Sequence, residues 1–230
     1  MGRQVEMVLN THGGKRAGAG RPAVVGRRCS EPHVKRPKID AHKPLHVVLR
    51  AVRGINLRQK VPFTAIREAL KRVDSSLVRV VHISIQRTHV HLIVESRQRL
   101  RLAHGLQGLQ ISMAKRLNRA LGTSGQVFAD RYFATPLNSP RQVRNTLAYV
   151  LNNWRHHDEH RHAFAATWTR DPFSSALVFE GWSDAPRSLS TPSSYEPPLV
   201  CEPKTWLLRV GWKRHPRISC FAVPGGAHAE

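Results

Sequence analysis

Between residues 77 and 95 the chain passes twice through β-branched and aliphatic residues, with only the polar step Gln86-Arg87-Thr88 between the two runs. Runs of this length bounded by a polar turn read as strands, and two so close together pair as an antiparallel hairpin. The first run is apolar almost throughout, at Val78, Val80, Val81, Ile83 and Ile85. In the second, Val90, Leu92 and Val94 fall on one face and anchor the strand in a core, while His89 and His91 share the other, roughly 7 Å apart along the backbone. Two imidazoles on one face can hold one divalent cation. In a chain with 14 histidines the same pair can equally be plain strand surface. The pattern is therefore half of a metal site, and a catalytic centre needs a third ligand and a reacting group.

The flanking chain supplies a frame for the hairpin. Residues 44–52 read as an earlier strand. A helix opens at Pro62 with Phe63, Ile66, Leu70 and Val73 on one face and Arg67, Lys71 and Arg72 on the other. Residues 100–121 form the longest helical pattern, with Leu102, Leu106, Leu109, Met113, Leu117 and Leu121 at helical spacing, Arg101, Lys115, Arg116 and Arg119 opposite, and Gly122 and Gly125 as breakers. Residues 126–137 read as a further strand or ribbon. Strand, helix, strand, strand, helix, strand predicts an α+β fold, the ferredoxin-like split βαβ, with a central antiparallel sheet and these helices on one side. Ser139, Pro140 and Gln142 then start another helix as cap, first helical residue and capping-box partner, running through Val143, Leu147, Val150 and Leu151 to about His156. Tyr149 and Asn153 are four apart on it, rotated by about 40°, and project nearly together.

Composition limits the partners. Thirty-seven Lys and Arg against 15 Asp and Glu leave a formal charge of +22, which opposes compaction and points to a polyanion, nucleic acid first. No long apolar run supports a membrane partner. Cys29, Cys201 and Cys220 suit neither a disulfide framework nor a zinc ribbon, which fits a reducing cytoplasm. Residues 1–43 hold ten Lys or Arg and three acidic residues and read as a basic, flexible arm. Within it Gly20-Arg21-Pro22 resembles an AT-hook core, so Arg21 and nearby Arg16 are candidate DNA contacts, through a minor groove or through phosphates alone. A catalytic domain over 44–180 follows. Residues 181–230 then form an extension: a Ser/Pro-rich linker over 185–198, a two-tryptophan piece at 205–215 suited to docking or DNA contact, and a disordered tail over 224–230.

A strand with His89-Val90-His91, followed some sixty residues later by a helix with Tyr149 and Asn153, resembles the single-tyrosine HUH transposases, and more closely the REP-associated tyrosine transposases of bacteria. Gln126-Val127-Phe128-Ala129-Asp130-Arg131-Tyr132 is similar to the family's aromatic-plus-Arg segment, and Asp171-Pro172-Phe173-Ser174-Ser175 to its element after the helix. The resemblance covers about residues 44–178. Where the family's helix carries Asn-Pro, this chain has Asn153-Trp154, so the helix ends differently. The resemblance implies cleavage and rejoining of single-stranded DNA beside hairpins, by a nucleoid-associated cytoplasmic enzyme, more often a monomer than a dimer. Tyr149 would be the nucleophile of a 5′-phosphotyrosine intermediate, and Mg²⁺ or Mn²⁺ would be held by His89, His91 and Asn153, with Asn152 the alternative third ligand. Arg131, with Lys115 and Arg116, would bind the DNA backbone. The alternative is a domesticated, non-catalytic DNA- or RNA-binding protein on the same fold.

Several residues compete for these roles. Tyr132, beside Phe133, suits packing or base stacking, and Tyr195 lies in a stretch where nothing fixes it. Glu95 shares the parity of the histidines and either orients one of them or is a solvated strand-end carboxylate. His156, His157, His160 and His162 read as exposed or phosphate-facing rather than as a second metal site.

Overall fold

The computed structural model describes residues 39–162, 165, 167–184 and 195–224. Four strands form the sheet: β1 (Leu45–Arg50), β2 (Arg79–Ile85), β3 (His89–Glu95) and β4 (Phe133–Pro136). The expected hairpin forms, with Ile85 opposite Val90 and Arg79 opposite Glu95, and one register shift between Val80 and His82. β3 pairs on its other edge with β1, from Leu45 opposite Val94 to Arg50 opposite His89, and β1 pairs in turn with β4. All pairings are antiparallel in the order β2-β3-β1-β4. This is the split βαβ arrangement, and it makes the histidine strand an interior one.

The alternation along the strands sorts side chains between two cores. Leu45, Val47 and Leu49 of β1 and Val90, Leu92 and Val94 of β3 pack against α1 (Lys60–Leu70) and α2 (Arg99–Leu121). Phe63, Ile66 and Leu70 come from α1, and Leu102, Leu106, Leu109, Met113 and Leu117 from α2. At Gly105 a Cβ would sit 2.5 Å from Val78 Cγ1, so α2 approaches the chain before β2 more closely than any side chain allows. Gly122 ends α2 in the left-handed conformation at φ 64°, its N–H donating to the Asn118 carbonyl.

The opposite face is covered by α3 (Pro140–His156), which buries Val143, Leu147, Val150 and Leu151 against Val81 and Ile93. Ser139 caps it, its Oγ accepting from Gln142 N at 3.2 Å. Gln142 Oε1 reaches past the cap residue and accepts from Asn138 N at 2.7 Å. Leu207, Leu208, Trp212, Ile218 and Cys220 complete this core, so the two-tryptophan piece docks: Trp212 is buried, whereas Trp206 is half exposed beneath the Arg214 guanidinium.

Three expectations need correction. Residues 126–137 are not one strand: Ala129 N donates to Arg50 O and β4 begins only at Phe133, opposite Val48, so Asp130, Arg131 and Tyr132 face the single residue Leu49. The Gln126 amide donates to the carbonyls of Phe128 and Ala129, helping to break the ladder there, and Tyr132 turns into the helix-side core. Tyr195 is held, not loose, with its ring 5.1 Å from Phe173, 5.7 Å from Phe63 and 5.9 Å from Trp168. Glu95 is neither solvated nor beside an imidazole. It is 4 % exposed and accepts the backbone N–H groups of Lys204 at 2.9 Å and Thr205 at 2.7 Å.

Candidate active site

Strand parity turns His89 and His91 toward α3, and the β1–β3 register adds a third imidazole to them. Val48 is opposite His91, so His46, two residues back on β1, lies diagonally beside it on the same face. His46 Nε2 is 3.0 Å from His91 Nδ1, and the rings are near parallel at 5.1 Å. The His89 and His91 rings are 4.6 Å apart, and Thr88 Oγ1 lies 3.1 Å from His89 Nδ1. Both imidazoles of the His-x-His pair thus have Nδ1 engaged. The His91 Nε2 is buried without a partner among the described residues.

α3 lays Tyr149 over this pair of strands. Its ring stands edge-on to His91 at 5.3 Å and to His46 at 6.1 Å. The end of α3 brings two more rings, His156 at 6.4 Å from Tyr149 and His157 at 5.5 Å from His89. Among the four trailing histidines His157 therefore belongs to the cluster, while His162 lies outward against Arg87 and Glu159.

Burial disfavours imidazolium here, holding His46 and His89 down to about 4 and His91 to about 2, with neighbouring imidazoles adding to the effect in the latter two. All three are neutral at physiological pH, the form that donates a lone pair.

The two amides of α3 differ. Asn152 Nδ2 donates to Ser219 O at 2.9 Å. Asn153 is fully buried, and neither its Oδ1 nor its Nδ2 has a partner among the described residues. Among the described residues no three His, Cys, Asp or Glu side chains gather closely enough to hold a metal. A centre built on His89 and His91 therefore needs another kind of oxygen donor. Among the described residues the Asn153 carboxamide and the Nε2 of His91 have no partner and are donor types that a divalent cation takes, while Asn152 has its Nδ2 held by the Ser219 carbonyl.

Two hollows flank the cluster. One, of about 550 Å³, is lined by His46 and Tyr149 with Arg141, Gln142 and Asn145 from the start of α3. The other, of about 580 Å³, is lined by His89 and His157 with Arg87, Thr88, Glu159 and Arg161. A third hollow, with Arg116 on its wall, lies between α1 and α2 across the sheet from the cluster. Lys115 and Arg116 are on α2 and so do not frame the site. Arg131 is exposed in the bulge before β4. Arg16 and Arg21 lie outside the described residues.

Sequence reasoning missed His46, whose one local signal was its parity on β1. It also missed the buried Arg58, whose guanidinium makes paired bonds to Asp171 at 2.7 and 3.0 Å and lies 3.7 Å from Glu159. That network fixes the segment after α3 against β2, where Ile85 N donates to Phe173 O.

Among the described residues no helix is long and apolar enough to cross a membrane. The family model described as "Transposase IS200 like" matches residues 45–153, from the first residue of β1 to Asn153. No curated protein matches the chain. Among solved structures, a REP-associated tyrosine transposase bound to a REP hairpin is similar over 72 % of this chain and 98 % of its own, at 15 % identity and a TM-score of 0.49. A transposase from Deinococcus radiodurans R1 is similar over 59 % of this chain and 99 % of its own, at 13 % identity and a TM-score of 0.36. The family match spans the whole sheet and the helix that carries Tyr149 as far as Asn153, so residues 45–153 of this chain are similar to the IS200-like transposases.

Proposed function

We propose that the chain cleaves and rejoins single-stranded DNA beside hairpins, with Tyr149 as nucleophile and with His89, His91 and Asn153 as ligands of Mg²⁺ or Mn²⁺. The observation that carries this reading is the meeting of a phenol with neutral imidazoles at the rim between two open hollows: Tyr149 lies 5.3 Å from His91. A DNA strand has room on both sides of a phosphate at that point, and Arg141 in one hollow and Arg87 and Arg161 in the other suit its backbone.

In this reading Tyr149 Oη attacks the scissile phosphorus in line with the 3′-oxygen. The new oxygen–phosphorus bond replaces the one that breaks, the phenol proton is lost to water or a nearby neutral imidazole, and the departing 3′-oxygen takes up a proton. The products are a 5′-phosphotyrosine and a free 3′-hydroxyl, which conserve the bond energy for rejoining. A free phenol, with a pKa near 10, is a poor nucleophile at neutral pH. A divalent cation, when bound, supplies Lewis-acid polarisation of the phosphate. His89 and His91 offer it neutral nitrogens, and Asn153 an amide oxygen with no competing bond. The chain's charge of +22 supplies the sequence-independent attraction.

A labelled hairpin oligonucleotide with a single-stranded flank, incubated with Mn²⁺, is expected to give a covalent adduct that survives denaturing electrophoresis. Tyr149→Phe should bind the oligonucleotide as wild type does and give no adduct. Equal adduct yields from the two proteins would mean that Tyr149 is not the nucleophile.

A further inference from the structure

We infer that His46 is a positioning residue for His91: its Nε2 accepts the proton of His91 Nδ1–H and so leaves the lone pair of His91 Nε2 bare for a cation. The inference rests on the proposed metal site for its consequence, but the hydrogen bond is read from the structure alone. The two nitrogens are 3.0 Å apart, so one donates and the other accepts. If His46 donated, the proton of neutral His91 would sit on Nε2, which is buried and has no partner. An unpartnered buried N–H is unfavourable, and a protonated Nε2 cannot ligate. His46 has no such constraint. It lines the open hollow beside Tyr149, and neither of its ring nitrogens is both buried and unpartnered, so its own proton can sit on Nδ1. Here an imidazole takes the place usually held by a carboxylate or carbonyl behind a metal-binding histidine. Thr88 Oγ1, 3.1 Å from His89 Nδ1, occupies the corresponding position for the other ring.

Long-range ¹H–¹⁵N correlation spectra of the ¹⁵N-labelled, metal-free full chain at pH 7.5 report the tautomer directly. His91 is expected to carry its proton on Nδ1 in wild type. His46→Phe keeps a ring in the stack but removes the acceptor. It should shift His91 toward the Nε2–H tautomer and weaken Mn²⁺ binding by about 10- to 100-fold. His46→Gln, whose amide oxygen can accept, should hold both within a few-fold of wild type. An Nε2–H tautomer of His91 in wild type would overturn the inference even if no variant folds, and so would equal Mn²⁺ affinity in wild type and His46→Phe. An Nδ1–H tautomer in a wild-type protein that binds no Mn²⁺ would support the hydrogen bond and remove the metal site instead.

Discussion

Asn152 and Asn153 are adjacent on α3, about 100° apart around the helix, and that rotation gives them opposite tasks. Asn152 ties α3 to the Ser219 carbonyl, whereas Asn153 keeps both polar atoms idle in a fully buried position. An amide without partners costs about 1–3 kcal/mol, so such a residue weakens the metal-free fold, and a cation bound to its oxygen removes part of that cost. Asn153→Ala is therefore expected to lose at least tenfold in Mn²⁺ affinity by titration calorimetry, with metal-free stability close to wild type. Asn152→Ala should lose about 1 kcal/mol in urea unfolding and bind Mn²⁺ normally. The reverse pattern would make Asn152 the ligand. Tyr149 and the His89/His91 pair were legible in the sequence because their placement follows from local periods of 3.6 and two. Which asparagine was idle depended on Ser219, 67 residues further on, and no local pattern reports that.

At the scale of elements, β1 and β3 bring three imidazoles into a layer that burial keeps neutral. His46 and His89 titrate near 4 and His91 near 2, against an ordinary value of 6.5. Because these folded-state values are depressed, the unfolded chain binds more protons as pH falls below about 6.5. Their contribution to stability is complete above that pH and is lost progressively on acidification toward the folded values. Each ring adds a slope of at most about 1.4 kcal/mol per pH unit, less for the part-exposed His89. Between pH 6.5 and 5, where most carboxylates stay ionised, urea unfolding of the metal-free protein should show stability falling with pH, and His91→Gln should flatten the profile. A profile of unchanged slope in that variant would show that His91 is not held neutral by the fold. The strands and helices were readable because each carries its own apolar period. The break at residues 130–132 was not, since it is made by Gln126 capturing carbonyls and by β1 pairing across a gap of more than seventy residues. His46 was hidden for the same reason: its partner is set by register, not by spacing.

For the molecule as a whole, the transposase-like domain over residues 45–153 does not finish its own core. Val81, Ile93 and the inner face of α3 are closed by Leu207, Leu208, Trp212 and Ile218, and the buried carboxylate of Glu95 is satisfied by the N–H groups of Lys204 and Thr205. A reading of the chain as catalytic domain plus extension cannot detect this, because Glu95 at a strand end and Trp212 in a short amphipathic piece each have an ordinary local explanation. Their dependence on one another makes a measurable statement. Hydrogen bonds to a charged acceptor contribute about 1.5–3 kcal/mol each, so Glu95→Gln in the full chain should cost about 2 kcal/mol or more in urea unfolding. In a chain ending at residue 200 the loss of apolar cover should itself lower stability by several kcal/mol. There, among the described residues, Glu95 keeps Arg79, whose Nε lies 3.7 Å from its carboxylate, and Glu95→Gln should cost less than half of its full-chain penalty. Additive effects of the two changes would mean that Glu95 does not anchor the C-terminal segment.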